Sequence, residues 1–202
     1  MSSPSSFAKP ISRFLAVLLT ALVCLASSGG ASRAANEKSP GDILLYTDPD
    51  RGYSLPIPPG ADVPPRTAPG PVRINSRKGY VVTVQAADAS SSASLADLLA
   101  RFEAENLGQG KRWDHKVAGR PIVVGGLPGI DATYVSTNTR ARVVMIRGAR
   151  TDHVLIFMVA PDRFQELAGE FEWILTYFEP GPGEGRQKTA ARVAAPPAAV
   201  VP

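Results

Sequence analysis

Between residues 43 and 160 the apolar positions recur mostly in twos, and two stretches change to a helical spacing. Ile43-Leu44-Leu45-Tyr46 and Tyr53-Ser54-Leu55-Pro56-Ile57 read as short strands around Asp48-Pro49-Asp50-Arg51-Gly52, where proline and glycine supply the backbone a turn needs. Pro56, Pro58 and Pro59 cannot donate to a ladder, so the second strand is expected to be short or at an edge, with an irregular loop to Pro71. Val72 to Ser76 and Tyr80 to Ala86 are two further strands. In the latter, Tyr80, Val82 and Val84 share one face while Thr83 and Gln85 take the other.

The period changes after Ser90-Ser91-Ser92-Ala93-Ser94. Leu95, Leu98, Leu99, Phe102 and Asn106 fall on one side of a helix, with Asp97, Arg101 and Glu105 opposite. Ser94 followed three residues later by Asp97 predicts a capping box at its start, and Gly108 and Gly110 predict its end. Strands return at about Val117 to Val124, Ile130 to Ser136, Arg140 to Arg147 and His153 to Ala160, a spacing that predicts an antiparallel meander. Val154 to Val159 is apolar on both faces, as a central strand covered from both sides would be. A last helix is expected to open at Pro161-Asp162, with Phe164, Leu167, Ala168, Phe171, Leu175 and Phe178 as its apolar stripe. The fold class is therefore α+β: a mainly antiparallel sheet with two packing helices, in one domain over residues 42–180.

The ends obey other rules. Lys9 and Arg13 precede an apolar run from Phe14 to Ala26, and small residues come after it, which is the order of a cleavable export signal over residues 1–35. A membrane-spanning helix needs about 20 apolar residues, so no stable anchor is expected. Cleavage falls between residues 28 and 35, where Ala26-Ser27-Ser28 and Ser32-Arg33-Ala34 both offer the small residues a signal peptidase reads. Cys24, the only cysteine, lies inside the apolar run behind bulky Leu22-Val23, which argues against lipidation. Residues 36–41 read as a linker, and residues 181–202, rich in Pro and Ala, as a disordered tail.

Charge changes the picture by its location. The chain carries a formal +4, yet from Gly41 to Pro180 there are 15 Lys plus Arg against 16 Asp plus Glu. The excess sits in the leader and tail, so the domain offers no general electrostatic case for nucleic acid.

Candidate chemistry is sparse. His115, after Trp113-Asp114, and His153, after Asp152, read as surface turn residues. A hydrolase would draw its acid–base residues from among Asp114, His115, Asp152 and His153, and a two-histidine site would need these distant segments to meet. Neither His-x-x-x-His nor His-x-Glu occurs, Gly-x-Ser-x-Gly is absent, and Gly110-Lys111 lacks both the first glycine and the final Ser or Thr of a phosphate loop. No catalytic, metal-binding or cofactor-binding residue is assigned. Arg140, Arg142, Arg147 and Arg150 lie on one hairpin, and an arginine row on a sheet face could take a carboxylate or phosphate. If Thr137-Asn138 is a two-residue turn, Arg142 stands opposite Thr133 and diagonal to Asp131, within reach of a surface ion pair.

The motif Tyr-x-Asp-x-x-x-Gly-Tyr-Ser-Leu-x-x-Pro from Tyr46 to Pro58, Gly125-Gly126-Leu127-Pro128-Gly129 before a strand with Tyr134, and a final helix ending Ile174-Leu175-Thr176-Tyr177-Phe178 together resemble the PsbP-like family. That family includes an extrinsic subunit of the water-oxidising complex, a nuclear-transport factor that binds a small GTPase, and small bacterial envelope proteins. The resemblance implies an α+β sandwich and an exported accessory or binding module without family catalytic residues. The expected partner is an envelope protein or a small envelope ligand, met through one sheet face and the loops at 57–71 and 108–116. An envelope hydrolase and a structural spacer are the alternatives, and the oligomeric state is left open.

Overall fold

The structure is a computed structural model that describes residues 43–66, 69–89 and 93–183. The predicted signal peptide with Cys24, the linker, Ser90 to Ser92 and the tail from residue 184 lie outside the described residues. All the described residues belong to one compact unit, Ser39–Pro202.

β1 (Leu45–Thr47) and β2 (Ser54–Pro56) form the N-terminal hairpin. Its turn is held by Asp48, whose carboxylate accepts from the amides of Asp50 and Arg51 while Gly52 adopts φ 70°. β3 (Val72–Asn75) and β4 (Val81–Asp88) come next, then α1 (Leu95–Asn106), and then β5 (His115–Val124), β6 (Leu127–Val135), β7 (Arg140–Arg147) and β8 (Thr151–Val159). The main sheet has the order β3-β4-β8-β7-β6-β5 with every neighbour antiparallel. The expected meander is present, and β8 closes it against β4 because α1 carries the chain from β4 to the far edge. β8 is central, as its two-sided apolar pattern requires: Leu155, Phe157 and Val159 enter one core and Ile156 the other.

Local chemistry explains most boundaries. Ser94 accepts from the Asp97 amide and Asp97 accepts from the Ser94 amide, so the predicted capping box starts α1. Gly125 and Gly126, at φ 59° and 82°, make the two-residue turn between β5 and β6, and a Cβ at Gly125 would meet Pro180 at 2.7 Å. β6 therefore begins at Leu127, three residues earlier than the pattern placed it. Pro128 is tolerated there because β7 pairs only from Gly129 onward, so no partner requires its missing N–H.

The last helix differs from expectation. Pro161–Arg163 is a single 3₁₀ turn, and α2 spans only Ala168–Thr176. No side chain caps either start, and Gly169 weakens the first turn of α2. The apolar stripe is nonetheless buried, with Phe164, Leu167, Phe171, Leu175 and Phe178 all in the core. The chain stays packed past Pro180, where Gly181 lies against the Arg51 carbonyl.

Each face of the sheet has its own core. α2 and the hairpin cover one face with Tyr53, Leu55, Phe171, Ile174 and Phe178 over Val82, Val84, Leu155 and Phe157. α1 covers the other with Leu99 and Phe102 over Tyr134, Ala141, Val143 and Ile156, and Trp113 seals its end at 2% exposure.

Candidate functional site

The four nominated arginines do not form one row. Strand alternation puts Arg140 and Arg142 on the α2 face and Arg147 on the α1 face, and Arg150 lies in the turn between β7 and β8. Arg142 stands opposite Thr133, with Asp131 opposite Val144, which is the predicted register, but the ion pair is not at the surface. Arg142 and Asp131 are both 6% exposed. Arg142 donates from Nε and Nη2 to the two Asp131 oxygens at 2.9 Å each, and its Nη1 lies 2.8 Å from Glu172 of α2. Burial disfavours the charge, and the bonds and charge of Asp131 and Glu172 outweigh it, so the guanidinium is held above its ordinary pKa. The missed signal was coverage: α2 folds over this end of β7.

Arg147 donates to Asp152 at 3.0 Å and to the Ala93 carbonyl just before α1. Arg150 donates to the Pro182 carbonyl. Arg140 lies over the Phe164 ring at 4.3 Å, and its buried Nε has no hydrogen-bond partner among the described residues. Three of the four thus fasten the structure to itself.

The histidines are not brought together. His115 is exposed at the start of β5, on a rung that runs through Val135 and Arg140 to Val159. His153 is six residues from Val159 on β8, so three strand steps and six residues put it roughly 25 Å away. Acid–base partners must lie within hydrogen-bond reach, so the two histidines form no joint site. His153 is also no surface residue: it is 1% exposed, with its ring 5.5 Å from Tyr53 and 5.3 Å from Phe178. Its alternation with Leu155 and Phe157 is the signal that Asp152 obscured. Among the described residues no group of three or more His, Cys, Asp or Glu could hold a metal ion, and no helix is long and apolar enough to cross a membrane.

A different surface stands out on the α1 face. α1 packs mainly on β6 and β7 and reaches Ile156 of β8, so the strip formed by β3, β4 and the β8 residues beside them is only partly covered. Val82 and Val84 are fully enclosed on the α2 side, whereas Val81, Thr83, Gln85 and Ala87 of the same strand retain access to solvent, as do Val154 and Met158 beside them. Two arginines flank the strip. Arg73 leaves β3 on the rung of Thr83 and Ile156, and its Nε donates to Asn75 at 2.8 Å. Arg112 comes from the connection after α1, lies over the Trp113 ring at 5.2 Å, and places Nη2 3.0 Å from Met158 Sδ on the adjoining rung. Neither forms an ion pair among the described residues.

Desolvation of its head group against the sheet, and then the nearby charge of Arg73, lower the Arg112 pKa. Several carboxylates elsewhere are paired: Asp48 with Arg66, Asp131 with Arg142, Glu170 with Lys78. Two guanidiniums that repel each other across a partly open strip thus carry charge that no carboxylate among the described residues neutralises. Half of it was legible, because Arg73 alternates with buried Val72 and Ile74 and so had to face the other way. The approach of Arg112 depends on how the connection after α1 folds, which no local pattern encodes.

No family model matches the chain, and no curated protein matches it. Among solved structures it is similar to the solution structure of a cyanobacterial PsbP, CyanoP, from Synechocystis sp. PCC 6803, at 18% identity and a TM-score of 0.54, covering 77% of this chain and 98% of that one. It is also similar to PA94 of Pseudomonas aeruginosa, a protein of unknown function and putative regulator, at 17% identity and a TM-score of 0.42, covering 70% and 99%. LpqN of Mycobacterium tuberculosis, involved in cell envelope biogenesis, gives 14% identity and a TM-score of 0.49 over 70% and 91%. The first of these likenesses establishes a fold, and the expected PsbP-like α+β architecture is the one observed.

Proposed function

We propose that this PsbP-like domain is an exported, non-enzymatic binding module of the cell envelope that meets a protein partner on the partly open strip between Arg73 and Arg112. Export is supported by the basic start, the apolar run from Phe14 to Ala26 and the small residues after it. The binding reading is carried by one observation: a sheet face whose α1-covered half is packed and whose other half leaves β4 and β8 side chains accessible between two unneutralised arginines. Small ligands are held in concave sites that enclose most of their surface, and a sheet strip of this kind suits a macromolecule better.

The test is crosslinked capture from cells expressing the full chain, compared with a Thr83→Tyr, Gln85→Tyr variant that crowds the strip and leaves both cores alone. A specific partner lost in the variant, at unchanged thermal stability, supports the reading. A partner retained by the variant, or no specific partner, refutes it.

A further inference from the structure

We infer that the segment docked on this strip is acidic and extended, with a carboxylate bridging Arg73 and Arg112 and the adjoining residues lying along β4. This rests on the binding face proposed above and adds the partner's chemistry.

Charge complementarity is the first argument. Arg73 and Arg112 raise each other's free energy when the face is empty, and an anion between them converts that repulsion into two attractions. Guanidinium presents planar donors that match a carboxylate, and both head groups keep donors that no carboxylate in the described residues takes. Both are also held in place, Arg73 by Asn75 and Arg112 by the Trp113 ring and Met158, which reduces the ordering cost on binding.

Length is the second argument. From Val81 to Ala87 the accessible side chains span seven residues of strand, about 20 Å from first to last. A free phosphate would use the arginines and leave that strip idle, whereas an extended segment of about six residues uses both. The strip mixes Val81, Val154 and Met158 with Thr83 and Gln85, so it accommodates alternating apolar and polar side chains beside the anchoring carboxylate. An anionic membrane surface is a poorer match, because the domain as a whole balances 15 basic against 16 acidic residues and offers only a local positive site.

The experiment uses the isotope-labelled full chain and an acetylated hexapeptide alternating Glu and Val, with its Lys and Val counterpart, glutarate and inorganic phosphate as separate arms. Expected are saturable shifts of the Arg73 and Arg112 Nε–H signals and of the Val81 to Ala87 amides with the Glu peptide only. Raising salt from about 50 to about 300 mM should weaken them, and Arg73→Gln with Arg112→Gln should weaken binding by about tenfold or more. Thermal unfolding of that variant confirms its fold. Equal shifts from phosphate or glutarate, shifts centred on Arg140, or no saturable shift would each overturn the inference. If the Tyr variant of the strip loses its captured partner while the arginine variant keeps it, the binding face stands and the acidic partner falls.

Discussion

On the α2 face, Tyr80, Val82, Val84, Leu155 and Phe157 are enclosed, and a buried arginine is matched by carboxylates from two elements. On the α1 face the same two strands leave Val81, Thr83, Gln85, Val154 and Met158 in partial contact with water, and two arginines lie beside them without a carboxylate. Both faces carry arginine, and the fold supplies a counter-charge to Arg142 on the α2 face and none to Arg73 and Arg112 on the α1 face. Where it does, the charge serves to fix α2 on the sheet. Where it does not, the arginines are open to a counter-charge from outside, which is why the proposed binding function is placed on the second face.

The largest expected effect tests the sealed face. Phe171 packs against the rings of Phe157, Tyr80 and Phe164, and Phe171→Ala should cost about 4 kcal/mol in chemical denaturation. Next, Asp131→Ala leaves Arg142 buried with only Glu172, and should cost about 3 kcal/mol. Replacing Asp131 by Leu and Arg142 by Met together should recover most of that loss, since burial without charge needs no partner. If the single and double variants are equally unstable, the pair is not the lock described.

Smaller effects belong to the α1 face. Ser94→Ala removes the α1 cap and should cost about 1 kcal/mol, read by thermal unfolding. The Asp97 carboxyl is held below its usual pKa by its bonds to Ser94, so its contribution is complete above the unfolded-state pKa and disappears as pH falls through the lower folded value. Smallest of all, Arg73→Gln removes a repulsion and should leave stability unchanged or raised, within about 0.5 kcal/mol. A clear loss of stability in that variant would mean that Arg73 supports the fold after all, and the contrast between the faces would narrow.

The elements were legible in the sequence because strand alternation, the Ser94-Asp97 cap and the paired glycines at 125 and 126 act locally. So was the register that sets Arg142 beside Asp131. Depth was not. Arg142 and His153 read as surface residues because polar side chains near turns usually are, and both lie under α2 or the hairpin. The reach of α1 over the sheet, which leaves the strip open, is likewise a matter of where one helix ends relative to strands joined far away in the chain.

The stitching of the domain's two ends carries one more consequence. Ser54 of β2 and Glu179 exchange both backbone hydrogen bonds at 2.8 Å, and Gly181 rests on the hairpin turn. Entry and exit therefore meet at one corner, and in engineering terms the domain is nearly a closed ring. A short linker across that corner, with new ends opened at Thr137-Asn138, would redraw the chain's path while leaving both cores and the strip between Arg73 and Arg112 untouched.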